Sequence, residues 1–143
     1  MFNFFFPNYK FPGVLSTAGL TTPEFQLTSD TTVSWQMNFL QGGILVNNNN
    51  TNGISSFNSG GGGIAIDLGP YMTSGYTQNA GLPGLVDSLN SLLCGGQLSA
   101  AAKTYIVNYA STITNASNYI QMRDRVRAVV HLIITSPDYT VQR

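Results

Sequence analysis

Apolar residues in the last sixty positions recur at the spacing of amphipathic helices. Three such segments follow one another, and a short polar or glycine-containing turn separates each from the next. The positions predicted to face a common core are Leu82, Leu85, Val86, Leu89, Leu92 and Leu93 in the first segment, Ala102, Tyr105, Ile106, Tyr109 and Ile113 in the second, and Met122, Val126, Val129, Val130 and Ile133 in the third. Three helices joined by tight turns can pack as a small antiparallel cluster.

The ends of these helices also carry sequence signals. Gly95-Gly96 predicts the end of the first helix, and Ser99 predicts the N-cap of the second. We expect the second helix to break at residues 115–118 and the third to run from about Ser117 to Ile134. Pro137 is expected to stop the third helix, because proline disfavours helical backbone in the residue before it.

The first 46 residues have a different pattern. The opening is rich in aromatic residues and interrupted by prolines, which predicts an irregular segment. Thr22 followed by Pro23 predicts a helix start, and Gly42-Gly43 predicts its end. The apolar residues at near-helical spacing between them are Phe25, Val33, Met37 and Leu40. Several threonines and serines lower the helix propensity here, so this helix is expected to depend on packing.

Residues 47–79 contain four consecutive asparagines and four consecutive glycines. Such a composition predicts a long flexible loop. The apolar stretches 44–46 and 64–66 flank this tract and could pair as a short β-ribbon. No GK[ST] sequence follows the glycine run, so the tract does not have the pattern of a phosphate-binding loop.

The predicted fold is therefore mainly α: a small helical cluster with an irregular aromatic N-terminal segment and a long Asn/Gly-rich loop that can form a short β-ribbon. Residues 1–46, 47–79 and 80–143 are its three segments. A chain of 143 residues is long enough for one domain, and we expect all three segments to belong to it.

Charge is scarce in this chain. Only 8% of the residues are Asp, Glu, Lys or Arg, against about 25% in a typical soluble domain, and six acidic residues balance six basic ones. A neutral chain has no general electrostatic attraction for nucleic acid, so a nucleic-acid partner is not expected. Cys94 is the only cysteine, which excludes a disulfide within the chain and a thiolate metal cage.

The sequence shows no membrane-spanning or secretory segment. No window reaches the ~18 uninterrupted apolar residues of a spanning helix, and the start lacks the basic region and cleavage site of a signal peptide. Six aromatic residues among the first eleven would be costly to leave at a free terminus, so Met1 is expected to fall inside a larger fold.

A polar stripe on the third predicted helix is the main candidate site. Arg123, Arg127 and His131 stand four residues apart and should share one face. One interpretation is structural: these arginines, with Arg125, pair with carboxylates. The carboxylates considered are Asp124, Asp138, Glu24 and Asp30. The other interpretation is an anion site for phosphate, sulfate or an acidic sugar.

The remaining chemistry is sparse. His131 is the only histidine, and the arginines one and two turns before it should disfavour its charged form. Cys94 lies at a helix end, where the helix dipole should raise the pKa of its thiol. No catalytic residue, metal site or cofactor is predicted. The residues leave catalysis open and favour a non-catalytic role for this chain alone.

Four motifs carry a resemblance to a known family. In chain order they are FNFFFPNYKFPG, TTPEFQLTSDTTVSWQMNFL, LLCGGQLSAAAK and RVRAVVHLIITSPDYTVQR. Together they resemble the closing portion of the bacterial domain-of-unknown-function family 1800. Members of that family are much longer, so the resemblance covers only their carboxy-terminal third and implies that this chain is a fragment. It also implies an exported protein, in the periplasm or at the cell surface. The resemblance implies no activity, cofactor or site residue for this chain.

These observations give two hypotheses of function. The first is a structural or interaction module that packs against the missing amino-terminal portion of the family fold, against a copy of itself, or against another exported protein. The alternative is part of an exported hydrolase or of a saccharide- or anion-binding site that uses Arg123, Arg127 and His131. Low charge, exposed aromatic residues and an Asn-rich segment also favour self-assembly.

Overall fold

A computed structural model describes residues 6–45, 53–54, 66–113 and 118–140 of the chain. Within those ranges the protein is mainly helical, as the sequence predicts. Contacts divide the chain into two compact units, Met1–Phe39 and Leu40–Arg143. None of the described helices is both long enough and apolar enough to cross a membrane.

The amino-terminal unit is held together by hydrogen bonds across a loop. The backbone N–H of Thr22 donates to the carbonyl of Tyr9 at 2.7 Å, and the Thr22 hydroxyl accepts from the N–H of Phe11 at 2.8 Å. The side-chain amide of Gln26 bonds both the N–H and the carbonyl of Phe6. These polar contacts fix residues 6–11 against residues 22–26. The unit also contains the short helix α1 (Val14–Thr17).

The helix predicted to begin at Thr22-Pro23 is instead divided in two. Pro23–Leu27 forms a 3₁₀-helix, and α2 (Asp30–Ile44) begins after a break. The break is stabilised by a reciprocal cap: the N–H of Thr32 donates to the Ser29 hydroxyl, and the N–H of Ser29 donates to the Thr32 hydroxyl. Ser29 and Thr32 thus provide a stronger helix start than Thr22 does.

The predicted end of this helix at Gly42-Gly43 is also wrong, because α2 continues through both glycines to Ile44. Gly43 and Ile44 are buried. Burial of this last turn outweighs the cost of about 1 kcal/mol that a glycine imposes on a helix interior.

A short antiparallel ribbon joins β1 (Gly53–Ile54) to β2 (Ile66–Asp67), with Ile54 opposite Ile66. The sequence predicted that residues 64–66 pair with residues 44–46. Ile66 does lie in a strand, but its partner is Ile54, and Ile44 belongs to α2. The asparagine and glycine runs of the predicted loop lie outside the described residues. After β2 come a 3₁₀-helix (Gly69–Tyr71) and α3 (Ser74–Thr77).

Three longer helices form the core of the second unit: α4 (Leu82–Cys94), α5 (Ala100–Thr112) and α6 (Tyr119–Ile134). All three pairs among them are in contact. The side chains that fill the space between them are Leu82, Leu85, Val86 and Leu89 of α4, Ile106 and Ala110 of α5, and Val126, Val129 and Ile133 of α6. α6 ends at Ile134, as the sequence predicts, and Pro137 begins a short α7 (Pro137–Thr140).

Three apolar positions predicted to face the core do not. Leu92, Tyr105 and Tyr109 are 66%, 65% and 48% exposed. On α5 the buried side chains are Ile106 and Ala110, each one residue after a tyrosine and therefore about 100° further around the helix. The buried face of α5 is thus narrower than the sequence pattern suggests, and Tyr105 and Tyr109 lie at the edge of that face.

Asn90 fixes the turn between α4 and α5. Gly95 and Gly96 take the left-handed conformation that ends α4, and the N–H of Gly96 donates to the Asn90 carbonyl at 3.1 Å. The Asn90 side chain, 2% exposed, accepts from the N–H of Leu98 at 2.9 Å. Asn90 therefore accepts hydrogen bonds from two backbone N–H groups of this turn, one with its own carbonyl and one with its side chain.

The predicted cap at Ser99 is confirmed, since its hydroxyl accepts a hydrogen bond from the N–H of Ala102. We expect Ser99→Ala to lower the free energy of unfolding by about 1 kcal/mol, measured by urea denaturation. The N–H of Ser99, which donates to Asp138, is unchanged by this substitution. Ser111→Ala, in the last turn of the same helix, is the control, and an equal loss in both variants would contradict a capping role.

Candidate functional site

The predicted polar stripe lies along α6, which begins with a cap of its own. The Asn118 side chain accepts from the N–H of Gln121 at 3.0 Å and fixes the first turn. Arg123, Arg127 and His131 follow on successive turns of this helix. The structure therefore confirms that all three residues lie on one helix. Whether they can contact a ligand depends on how deeply they are buried.

Burial limits the access of the two arginines to solvent. Arg123 is 8% exposed and Arg127 only 1%. The Arg123 guanidinium forms an ion pair with Asp124, with Nε and a terminal nitrogen each 3.2 Å from the same carboxylate oxygen. This contact confirms the predicted structural pairing with Asp124.

Arg127 is influenced by the charge of its neighbour. Burial lowers the pKa of the Arg127 guanidinium, and the positive charge of Arg123 lowers it further. Asp124 and Tyr119 act in the opposite direction. Two arginines close enough to repel one another could share an anion, which is what the anion-site interpretation requires. Such an anion would have to enter a region where both side chains are already withdrawn from water.

His131 is half-buried, and burial lowers the pKa of its imidazole. The direction agrees with the sequence-based expectation, but the cause is desolvation and not the nearby arginines. Its Nε2 atom has no hydrogen-bond partner among the residues that the structure describes. A neutral imidazole without an orienting carboxylate is poorly suited to transfer protons.

Arg125 has a structural role that the sequence reasoning missed. Its side chain is completely buried. One terminal nitrogen donates at 2.7 Å to the carbonyl of Thr77 and to the side-chain oxygen of Asn79, and the other donates to the carbonyl of Ile113. Arg125 thus joins three parts of the second unit: the end of α3, the turn that follows it, and the end of α5.

The prediction that the arginines bind carboxylates is therefore wrong for Arg125, whose partners are neutral oxygens. Among the described residues, no carboxylate pairs with it. Burial lowers the pKa of its guanidinium, as expected for a charge held by dipoles alone. One signal in the sequence could have revealed its position: Arg125 stands four and eight residues before Val129 and Ile133, both fully buried.

The other candidates have little chemistry. Burial, followed by the negative charge of Asp138, raises the pKa of the Cys94 thiol, so the direction predicted for it is correct although the helix dipole is not its main cause. The Asp138 carboxylate accepts from the N–H of Ser99 at 3.0 Å. Asp30 lies in the first turn of α2, and the side chain of Glu24 is outside the description. No cluster of three or more His, Cys, Asp or Glu among the described residues could hold a metal.

The site geometry thus favours a structural role for α6, with Arg125 at its centre. The anion-site interpretation of Arg123, Arg127 and His131 stays a prediction. Comparison with models of known protein families, with curated proteins and with solved structures gave no match for this chain. The resemblance described above rests on its four sequence motifs.

Replacing Arg125 with methionine should lower the free energy of unfolding by about 2–4 kcal/mol, because buried carbonyls of Thr77 and Ile113 lose their donor. Chemical denaturation followed by circular dichroism measures the change. Lys103→Met is the matched control, since Lys103 forms an exposed ion pair with Asp87 at 2.8 Å. That variant should change stability by less than about 1 kcal/mol. Equal effects of the two substitutions would contradict the role assigned to Arg125.

Protonation of His131 should destabilise the fold. Its pKa in the folded state lies below the ordinary value of about 6.5, so the unfolded chain binds a proton first as the pH falls. Stability is therefore fully present above pH ~6.5 and decreases as the pH falls from there towards the folded-state pKa. The melting temperature measured between pH 7.5 and 5.5 should fall less in His131→Gln than in the unchanged chain. Parallel curves for the two proteins would exclude His131 as the titrating group.

Proposed function

We propose that this chain is a structural or protein-interaction module, and that the described part of α2 up to Phe39 is its contact surface. The observation that supports this proposal is exposure: every described side chain from Asp30 to Phe39 is exposed. Four of them are large and apolar, with exposed fractions of 41% for Val33, 66% for Trp35, 39% for Met37 and 51% for Phe39.

The arrangement of these four side chains strengthens the argument. Val33 and Met37 are four residues apart and share one face of α2, and Trp35 and Phe39 share another. The two faces are separated by about 200° around the helix axis. The rings of Trp35 and Phe39 stack with their centroids 5.3 Å apart. A helix that is apolar on opposite sides is characteristic of a buried element.

The composition of α2 also indicates that it needs a partner. Thr31, Thr32, Ser34 and Asn38 are poor helix formers, and helices of this length are marginal in water without tertiary packing. After Asp30 the helix carries no charged residue. Its binding surface therefore fits a partner that presents apolar side chains, and contiguous exposed apolar surface of this kind marks sites of protein association.

The proposed partner is a second copy of this chain, the amino-terminal portion of the family fold, or another exported protein. The ordered resemblance of four motifs to the domain-of-unknown-function family supports the second of these. It also supports a role as the carboxy-terminal module of a larger exported bacterial protein. Nothing in this proposal requires a cofactor.

Trp35 provides a direct probe, because it is the only tryptophan in the chain. We expect light scattering to show association as the concentration rises, together with a blue shift of tryptophan emission and weaker quenching by acrylamide. Phe39→Ser should raise the association midpoint about tenfold or more, since aromatic side chains dominate such contacts. Tyr105→Ser removes a similarly exposed ring, 65%, from α5 and should leave the midpoint unchanged.

Partners other than a self-copy require an experiment in cells. A photo-crosslinking amino acid at position 39 should capture a protein, and mass spectrometry then identifies it. The same amino acid at position 105 is the control. A chain that remains monomeric with a fully quenchable Trp35, and that yields no crosslink specific to position 39, would refute the proposed contact surface.

A further inference from the structure

The second unit contains a partly open apolar cavity of about 290 Å³. The last turns of α2, the β-ribbon, α4 and α6 all contribute to its wall, which includes Ile44, Ile54, Leu89 and Val130. The first three of these side chains are buried and the fourth is half-buried. The cavity therefore lies where described elements of this unit meet, and none of its described lining residues precedes Leu40.

A cavity of this size is suited to a ligand. Side chains that line an apolar void lose the dispersion contacts they would otherwise make, so filling the void with apolar atoms is favourable. Water needs two to four polar partners, which most of this wall does not offer, and an apolar cavity of about 150 Å³ already holds a benzene molecule. The cavity in this protein is larger, and most of its described wall is apolar.

The polar groups of the wall determine which end group a ligand can carry. Asp67 is the only charged side chain among the described lining residues, and it stands at the exposed end of the ribbon. Its Oδ1 accepts a hydrogen bond from the N–H of Gly69 at 2.8 Å, which holds the carboxylate in place. Two phenols, of Tyr71 and Tyr139, also belong to the wall. Among the residues that the structure describes, no lysine or arginine lines the cavity to receive an anion.

We propose that this cavity binds an aliphatic amine, with the hydrocarbon chain among the apolar side chains and the ammonium group beside Asp67. The carboxylate attracts an ammonium group and repels a carboxylate, so an aliphatic amine should bind more tightly than a fatty acid of the same length. A chain of roughly eight carbons matches the volume, if each heavy atom takes on the order of the ~30 Å³ that a water molecule occupies in the liquid.

Three probes with the same chain length test the proposal on the full chain: octylammonium, 1-octanol and octanoate. The isoleucine methyl resonances report binding by NMR, because Ile54, Ile66 and Ile134 line the cavity. We expect saturable shifts of these methyls with octylammonium, at concentrations at least tenfold lower than with octanoate. Equal affinities for the two ions, or no saturable shift with octylammonium, would overturn the proposal.

Two substitutions separate the roles of charge and volume. Asp67→Asn keeps an oxygen for the N–H of Gly69, so it should weaken octylammonium binding about tenfold and leave octanol binding unchanged. Val130→Phe should fill the cavity and abolish binding of both. Val107→Phe is the control, since Val107 is also half-buried and does not line this cavity.

Circular dichroism shows whether each variant folds, and Ile134→Phe replaces Val130→Phe if the latter does not. Octylammonium binding that is unchanged in Asp67→Asn would overturn the assignment of the ammonium site. Binding that persists in a folded, filled variant would show that the amine binds elsewhere and would overturn the assignment of the cavity.

Discussion

The architecture of the second unit depends on the buried guanidinium of Arg125. Secondary structure satisfies most backbone groups of α4, α5 and α6, but the residues at the end of α3 and at the end of α5 have carbonyls without helical partners. Arg125 supplies donors to both ends and to Asn79. Two apolar residues of the same helix, Val126 and Val129, are also fully buried. The planar Arg125 guanidinium, with its fixed donors, thus caps the ends of both helices at once.

The helix that carries Arg125 also carries the polar stripe, whose two arginines are likewise withdrawn from solvent. Charged residues on a helix suggest a solvent-facing surface, yet Arg125 and Arg127 are among the most buried residues of the chain. Of its six basic residues, this protein buries three, Arg123, Arg125 and Arg127. The two proposed binding sites therefore use apolar side chains and, at the cavity, the acidic group of Asp67.

Periodicity predicted the three core helices and the mainly α fold well, because α4, α5 and α6 bury one side and carry clear end signals at Gly95-Gly96 and Ser99. The same reasoning failed where a local sequence signal was outweighed by a better helix cap or by tertiary packing nearby. Thr22-Pro23 has the pattern of a helix start, but the reciprocal bonds of Ser29 and Thr32 provide a better one a few residues later. Gly42-Gly43 has the pattern of a helix end, but packing of Ile44 prolongs the helix.

The candidate site was predictable only in part. Helical spacing placed Arg123, Arg127 and His131 correctly on α6, since that inference needs no knowledge of the tertiary fold. Their burial and the partners of Arg125 could not be deduced, because those contacts join residues up to 48 positions apart. The apolar cavity could not be predicted from the sequence either. Its wall is formed by helices and a ribbon that are distant in sequence and come together only in the folded second unit.

The stretch between Asp30 and Asp67 has a further consequence, because it contains no acidic, basic, histidine, cysteine or tyrosine side chain. Any association made through the part of α2 after Asp30 therefore involves no charged or titratable side chain of that part and depends little on charge screening. Its strength follows the hydrophobic effect, which weakens on cooling and increases with excluded salts such as sulfate. Temperature and solvent composition, not acidity or salt screening, are the variables that would regulate contacts made by this part of the chain.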